Sequence, residues 1–586
     1  MRFRSDKHGG YQVYAVTGTN TISFAIDFRE ADTRGLLGFA IERHDVDEDE
    51  RYFLYGFKVF PSIYPEPAPD LAVSTHDQPV QSFVYDDFTA KPGHKYVYYF
   101  HPLKGSPKAL DRDAKPIPVA VETEPSFSKH EYDVFFNRGV ASSQAYQRKF
   151  GNQSPDDLEH NGEHKKAREA LAWLSRDLDE AMLKFIAEAR HGDTLLCCFY
   201  EFHYLPVLNA LRQAEERGVK LQIIVDAKAN DKAFPRKANL DAIEKAGLPQ
   251  ADIILREARR TAIQHNKFMV LLKGHNETPG AVWTGSTNLS MGAIHGHANV
   301  GQWVRDRDVA AKFAEYWELL SGDPGGRDGD SNVDVRKKNE DLRTSIQGID
   351  SAPLKWSDFP KGATPIFSPR EKLDVLKMYA ELLDSAKDLA CVTLAFGVNE
   401  EFKSRLQDNG RFNALTFLLL EKEDRPAQKN GETFVRLSAD NNSYEAFGSY
   451  IKDPLYQWAK ETTNAAMGMN SHVNYIHSKF LLKDPLGADP IVVTGSANFS
   501  SASTRENDEN MLFIRGSQRV ADIYFTEFNR LFNHYYFRSV RERLGKHASK
   551  DDKASLFLSE NDNWLDHYKE GSLRYKRAAV FWKMAI

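Results

Sequence analysis

Two short segments carry residue types suited to phosphate chemistry. They are His265-Asn266-Lys267 and His477-Ser478-Lys479. Side chains alternate along an extended chain, so each segment puts an imidazole and an ammonium on one face. Downstream of them lie Gly285-Ser286-Thr287-Asn288 and Gly495-Ser496-Ala497-Asn498. The spacing between copies is 477 − 265 = 212 for the histidines and 495 − 285 = 210 for the glycines. A single His-x-Lys carries little weight. Two copies, each followed by Gly-Ser-x-Asn at almost the same distance, mark an internal repeat. Brought together, the copies would place two imidazoles, two ammonium groups and two amides around one phosphate. Lys267 and Lys479 would neutralise the charge that builds on the phosphate oxygens, and Asn288 and Asn498 would donate hydrogen bonds to them. Donors set in place beforehand are usually the largest catalytic contribution. Imidazole, with an ordinary pKa of about 6.5, serves as nucleophile or as acid and base.

These motifs resemble those of the phospholipase D superfamily, whose pattern is His-x-Lys-x4-Asp followed by Gly-Ser-x-Asn. The resemblance covers roughly residues 130–545. The second copy matches in full, with His477, Lys479, Asp484, Ser496 and Asn498; in the first, Leu272 stands where Asp484 does. The resemblance implies two α/β halves packed face to face around one active site. It implies that one histidine attacks phosphorus to form a covalent phosphohistidine, while the other protonates the leaving oxygen and then activates water. Family precedent leans to His265 as the nucleophile, although a carboxylate behind the second half would suit either role. That carboxylate is Glu509, 14 residues past Gly495; the same offset from Gly285 lands on Asn299. Ser286 and Ser496 are expected to organise the loops. No metal or other cofactor is implied, so activity should survive a chelator.

The elements that must position these residues follow from periodicity. Residues 8–123 contain short runs of period two, such as Ile22, Phe24, Ile26, Phe28 and then Tyr96, Tyr98, Phe100. They predict a small antiparallel sandwich, immunoglobulin- or fibronectin-like in pattern. Beyond residue 130, helical spacings alternate with apolar runs, as in Thr194–Phe202, Leu221–Val225 and Leu389–Phe396. The expected fold class is α/β: two phospholipase D-like α/β halves packed as a pseudo-dimer, preceded by a small all-β sandwich. The expected divisions are a β module over 1–125, half 1 over 126–325, a Gly- and Asp-rich linker over 326–350, half 2 over 351–545, and a tail over 546–586 packed on half 2.

Composition excludes several classes. The chain has 586 residues, 41% hydrophobic and 27% charged, with 77 Lys plus Arg against 83 Asp plus Glu, a net charge of −6. Such a balance is globular and gives no overall attraction to nucleic acid or anionic lipid. Cys197, Cys198 and Cys391 cannot build a disulfide framework and read as buried thiols. No apolar stretch is long enough to span a membrane. The charged start, Met1 to His8, leads into no apolar run. The expectation is a cytoplasmic protein.

The substrate is expected to be a phosphodiester, with nucleic acid favoured and phospholipid hydrolysis or phosphatidyl transfer as the alternative. Arg256, Arg259 and Arg260 precede His265 and read either as contacts to flanking phosphates or as a charged edge. The tail residues Trp564, Tyr568, Arg574, Tyr575, Lys576, Arg577, Phe581 and Trp582 read as packing on half 2, as a base-stacking surface, or as a bilayer contact. His275, His295, His297 and His472 fit no tetrahedral ligand set and read as solvated loop residues. The β module carries no comparable constellation and is expected to bind a partner protein, restrict access or stabilise the chain. A third reading, a catalytically idle binding protein, draws on Leu272 and Asn299.

Overall fold

The computed structural model describes residues 1–67, 71–139, 144–228, 235–260, 262–350, 352–406, 414–423, 442–448, 474–545 and 557–586. Two seven-stranded mixed sheets form its centre. The first contains β1 (Tyr132–Phe136), β2 (Thr194–Phe199), β3 (Lys220–Asp226), β4 (Ile253–Arg256), β5 (Lys267–Lys273), β6 (Thr278–Gly285) and β7 (Val300–Val304). The second contains β8 (Gly362–Ser368), β9 (Leu389–Leu394), β10 (Leu415–Leu420), β11 (Ser443–Phe447), β12 (Phe480–Lys483), β13 (Ile491–Gly495) and β14 (Glu509–Arg515). The order is β1-β7-β6-β5-β2-β3-β4 in one and β8-β14-β13-β12-β9-β10-β11 in the other. The topologies are the same. In each, three strands run parallel and the His-x-Lys strand returns antiparallel beside the first of them.

Alternation along β5 explains how the sheets meet. Phe268, Val270 and Leu272 face a core shared by both halves, where they join Phe480, Leu482, Leu512 and Ile514. Met269 and Leu271 face the helices of half 1. A strand buried on both faces reads as one apolar run. Two helices fill the joint. Arg307–Ser321 is capped by Asp306, whose carboxylate accepts the Asp308 and Val309 N–H groups. It buries Phe313, Tyr316, Trp317 and Leu320 at helical spacing. From the other side, Gln518–Gly545 supplies Tyr524, Phe528 and Phe532.

Two antiparallel sheets precede these halves. One orders Arg2–Arg4, Tyr11–Thr17, Ile22–Phe28 and Val84–Asp87; the other is built on Gly38–Asp45 and Lys95–Ser106. Their core includes Val13, Phe24, Phe39, Ile41, Tyr98 and Phe100. The module is seated on the helix Gln518–Gly545: Arg2 pairs with Asp522 at 2.9 Å, and Asn533 donates to Asp86 at 2.7 Å.

Two expectations are corrected. Residues 332–350 of the expected linker form the helix Asn332–Asp350, which buries Val335, Leu342 and Ile346. The helical spacing of those three residues outweighs the Gly and Asp signals just before them. The tail, where described, packs chiefly on the β module rather than on half 2 alone. Trp564 and Tyr568 join the module's core, and Trp564 Nε1 donates to Leu36 O at 2.8 Å. Phe581 reaches half 2, 5.6 Å from the Phe525 ring, so the tail wedges between the two. The three thiols are buried and free. Among the described residues, no helix is long and apolar enough to cross a membrane.

Candidate active site

The two His-x-Lys segments meet where the halves interlock. Half 1 and half 2 exchange backbone hydrogen bonds on each side of the site. His265 N donates to Asp508 O at 2.9 Å, and Asp508 N donates to Ile263 O at 3.0 Å. Symmetrically, Ala298 N donates to Tyr475 O at 2.7 Å, and His477 N donates to Ala298 O at 3.1 Å. Each histidine is therefore built into the other half's strand edge.

The crossing sets which side chain supports which imidazole. His265 Nδ1 lies 3.0 and 2.9 Å from the two oxygens of Glu509, a half 2 residue. His477 Nδ1 lies 3.0 Å from Asn299 Oδ1, a half 1 residue. The serines of the Gly-Ser motifs hold these supports. Ser496 Oγ donates to Glu509 at 2.7 Å, and Ser286 Oγ donates to Asn299 at 2.8 Å. Each serine also accepts from the strand behind it, through Asn510 N and Val300 N. Glycine is required before each serine because that strand passes too close. A Cβ on Gly285 would sit 2.2 Å from Val300 O, and one on Gly495 would sit 2.2 Å from Asn510 O.

Lys267 Nζ donates to His265 O and Lys479 Nζ to His477 O, both at 2.5 Å, so each ammonium folds back beside its own histidine. All four side chains are buried, as is Glu509. Burial disfavours charge and sets the proton affinities. Lys267 is pushed down to about 8, and Lys479 falls well below the ordinary lysine range, by burial first and then by repulsion from Lys267. His477 is driven well below 6.5 by burial and then by Lys479, His297 and Lys267. His265 is lowered by burial but pulled back by the Glu509 carboxylate. Two lysines and two imidazoles share one buried hollow, and a phosphate anion bound there would relieve their mutual repulsion. The Asn288 and Asn498 amide oxygens are buried with no hydrogen-bond partner among the described residues.

Acids at the ends of the parallel strands hold the segments entering the site. Asp226, at the end of β3, accepts from Gln264 N at 3.0 Å. Glu421, after β10, accepts from Asn474, Tyr475 and Ile476 N at 2.8, 3.1 and 2.7 Å. Burial raises both to about 7. Sequence reasoning missed this pair, although an acid closing an apolar strand run in each half was a legible sign.

Several expected site residues are placed differently. Arg256 is fully buried and bound to Asp508 at 3.0 Å and Asp323 at 2.8 Å. Arg259 is buried 3.3 Å from Asp508. Both cations clamp the acid that bridges the halves instead of meeting substrate or solvent, because a buried carboxylate needs a partner. Arg260 is exposed and donates to Asp330 O at 3.1 Å. Asp484 accepts from Lys387, Asp388 and Leu389 N–H groups and pairs with Lys483 at 2.8 Å, at the far end of β12 from His477. Its task is to hold the entry to β9. In half 1 Asp193 does the corresponding work from the opposite strand, accepting from Gly274 N at 2.8 Å. Leu272 remains within β5, facing the shared core, where a carboxylate would be unpaired. His295 and His297 are buried rather than solvated; His275 is exposed, and His472 lies outside the described residues. Among the described residues, the one group placed to share a metal ion is Asp45, Asp47 and His94, in the β module.

Comparison with known proteins places the repeat. The family described as "Cardiolipin synthase, PLD-like domain" matches residues 182–320 and 427–532, one stretch in each half. No curated protein matches the chain significantly. Among solved structures, polyphosphate kinase from Porphyromonas gingivalis is 11% identical with a TM-score of 0.35, over 57% of this chain and 42% of that one. The chain thus spans less than half of that protein. Phosphatidylserine synthase from Haemophilus influenzae is 11% identical with a TM-score of 0.42, over 66% of this chain and 94% of that one. The phospholipase D family member NUC from Salmonella typhimurium is 18% identical with a TM-score of 0.20, over 29% and 93%.

Proposed function

The chain belongs to the phospholipase D superfamily of phosphodiester-acting enzymes, and from that premise we propose that it is a metal-independent phosphodiesterase that hydrolyses nucleic acid through a covalent phosphohistidine. The observation that carries the chemistry is the crossed support: Glu509 behind His265 and Asn299 behind His477.

In this reading His265 is the nucleophile. Its Nδ1–H is held by Glu509, which leaves the Nε2 lone pair to attack phosphorus. The bond formed is Nε2–P and the bond broken is P–O to the leaving group. The ring becomes a phosphoimidazolium with its Nδ1–H in place, and Glu509 stabilises that cation as a carboxylate does in His-based triads. His477 gives its Nε2 proton to the leaving oxygen. With no carboxylate behind it and Lys479 beside it, its imidazolium is a strong acid, and the bound phosphate anion makes it available. His477 then takes a proton from water, which attacks phosphorus and releases His265. Lys267, Lys479, Asn288 and Asn498 hold the phosphate oxygens.

Two features support nucleic acid. Leu272 replaces the Asp of the first motif, as in family branches that act on DNA-linked phosphodiesters. In addition, Phe396 is 64% exposed two residues beyond β9, the strand beside the second His-x-Lys. An exposed ring at the end of that strand suits stacking on an unpaired base. A bilayer contact calls for a contiguous apolar rim. A cytoplasmic setting, in keeping with three unpaired thiols, belongs to the same proposal.

The test is a turnover assay in chelator at low salt, offering single-stranded DNA, duplex DNA, RNA and phospholipid vesicles, with His477→Ala as the blank. Cleavage of a nucleic acid that the variant lacks and that falls with salt is expected. Head-group release from vesicles without nucleic-acid cleavage would overturn the substrate, and loss of activity in chelator would overturn the mechanism.

A further inference from the structure

His297 is a buried imidazole that the mechanism above does not use. It follows the turn at Gly292–Gly296, and its ring lies 4.7 Å from the His477 ring, tilted by 53°. Its Nδ1 is 2.8 Å from Asn299 Nδ2. Asn299 is the residue on which His477 depends, and its amide has two unlike ends that differ in chemistry but hardly in shape. The oxygen faces Ser286 Oγ at 2.8 Å and His477 Nδ1 at 3.0 Å. The NH2 faces Ala293 O and His297 Nδ1, both at 2.8 Å. With this orientation neutral His477 must carry its proton on Nδ1 and its lone pair on Nε2. With the amide turned over, an NH2 would face His477 Nδ1, forcing the lone pair there and the proton onto Nε2.

We propose that His297 is a positioning residue: its Nδ1 lone pair anchors the Asn299 NH2, and this holds His477 as the Nδ1–H tautomer with Nε2 open to proton transfer. The other half of the site shows why such a device is needed only once. Glu509, in the equivalent place, is a carboxylate with two identical oxygens, both within 3.0 Å of His265 Nδ1, and has no wrong way round. The residue in the place of His297 there is Asn507, whose Oδ1 lies 3.4 Å from Ile263 N instead. His297 also keeps its lone pair at working pH. Burial and then the Lys479 ammonium push it down to about 3. The charged and titratable groups that act on it are Lys479 and the neighbouring His477 ring.

The inference rests on the proposed proton-transfer role of His477, so two readouts separate the claims. His297→Phe keeps a ring and removes the acceptor; His297→Asn restores an acceptor near the Nδ1 position. On the substrate identified above, His297→Phe should lower kcat by ~10–100-fold, the usual cost of losing a supporting hydrogen bond, with KM little changed. The limb of the pH profile set by His477 should move, and His297→Asn should recover most of the loss. Independently of turnover, nitrogen-15 spectra of histidine-labelled protein, with His477 assigned by its own variant, should show a protonated Nδ1 in the wild type and a mixed or reversed tautomer in His297→Phe. An unchanged His477 tautomer in His297→Phe would overturn the proposal even if activity fell. Equal losses in the Phe and Asn variants would reduce His297 to packing and overturn it too. Wild-type protein without turnover on any substrate would sink the catalytic reading, while the spectra would still decide the tautomer.

Discussion

The two halves share one topology, yet they present their histidines with different supports. His265 faces a carboxylate that holds it from half 2, whereas His477 faces an amide that holds it from half 1. Much around this pair is matched: a lysine folded back on each motif, a serine on each support and a strand-end acid behind each segment. At the imidazoles themselves the difference is the support, and under the proposed mechanism it divides the work. A carboxylate stabilises a cation on its imidazole; an amide orients its imidazole without doing so. An attacking imidazole that must carry a phosphoryl group as a cation gains from the first. A proton donor that must be a strong acid gains from the second.

The sharpest way to break this comparison is to remove either imidazole. His265→Ala and His477→Ala should each cut turnover by ~10⁴-fold or more, since the two act as a unit. A variant that kept a tenth of the wild-type rate would end the paired-site account. Exchanging the supports sharpens it. Glu509→Gln should lower kcat by ~10²–10⁴-fold, as loss of the carboxylate does in histidine triads. Asn299→Asp should place an anion beside His477 and raise its pKa by ~1–3 units, moving that limb of the pH–rate profile upward. A profile that stays put in Asn299→Asp would show that the amide is not what keeps His477 a strong acid.

A smaller effect separates the motif's aspartate from the chemistry. Asp484→Asn removes a charged acceptor from three backbone N–H groups and should cost roughly 1–3 kcal/mol of stability. Its kcat should change less than about twofold, because the carboxylate sits about seven extended residues, ~20 Å, from His477. Asp193→Asn should do the same from half 1. A large loss of kcat in a folded Asp484→Asn protein would return this residue to the site.

The smallest effect tests the strand-end acids. Asp226 and Glu421 have folded values near 7, above the ordinary carboxylate range. Such groups contribute stability that is fully present below their unfolded pKa and lost as pH rises through about 7. Wild-type Tm should therefore fall between pH 5 and 8, by ~2–4 °C for each kcal/mol lost. The pair Asp226→Asn and Glu421→Gln should flatten that fall. Parallel curves for wild type and variant would refute the assignment.

Much of the site was legible without coordinates. The duplicated His-x-Lys and Gly-Ser-x-Asn motifs are local patterns, and their near-equal spacing exposes the repeat. Apolar runs such as Phe268–Leu272 announced strands buried on both faces. The helix Asn332–Asp350 was hidden because Gly and Asp in residues 322–330 dominate that stretch, while its three buried apolar residues are widely spaced. Arg256 and Arg259 looked available because their acid partner Asp508 is about 250 residues away. His297 carries no local sign at all, since its meaning depends on an amide two residues on and a ring from the other half.

By itself the sequence determined the repeat, the α/β class, the residue types at the site and their inequality, Glu509 against Asn299. These follow from side-chain identity and short-range periodicity, which need no partner to be read. Only the tertiary structure decided which imidazole each support serves, which cations are spent on the interlock, and which end of the Asn299 amide meets His477. Those choices are made by backbone exchanged between the halves and by buried groups that must find partners. Both couple residues about 180 to 250 positions apart, beyond the reach of any local pattern.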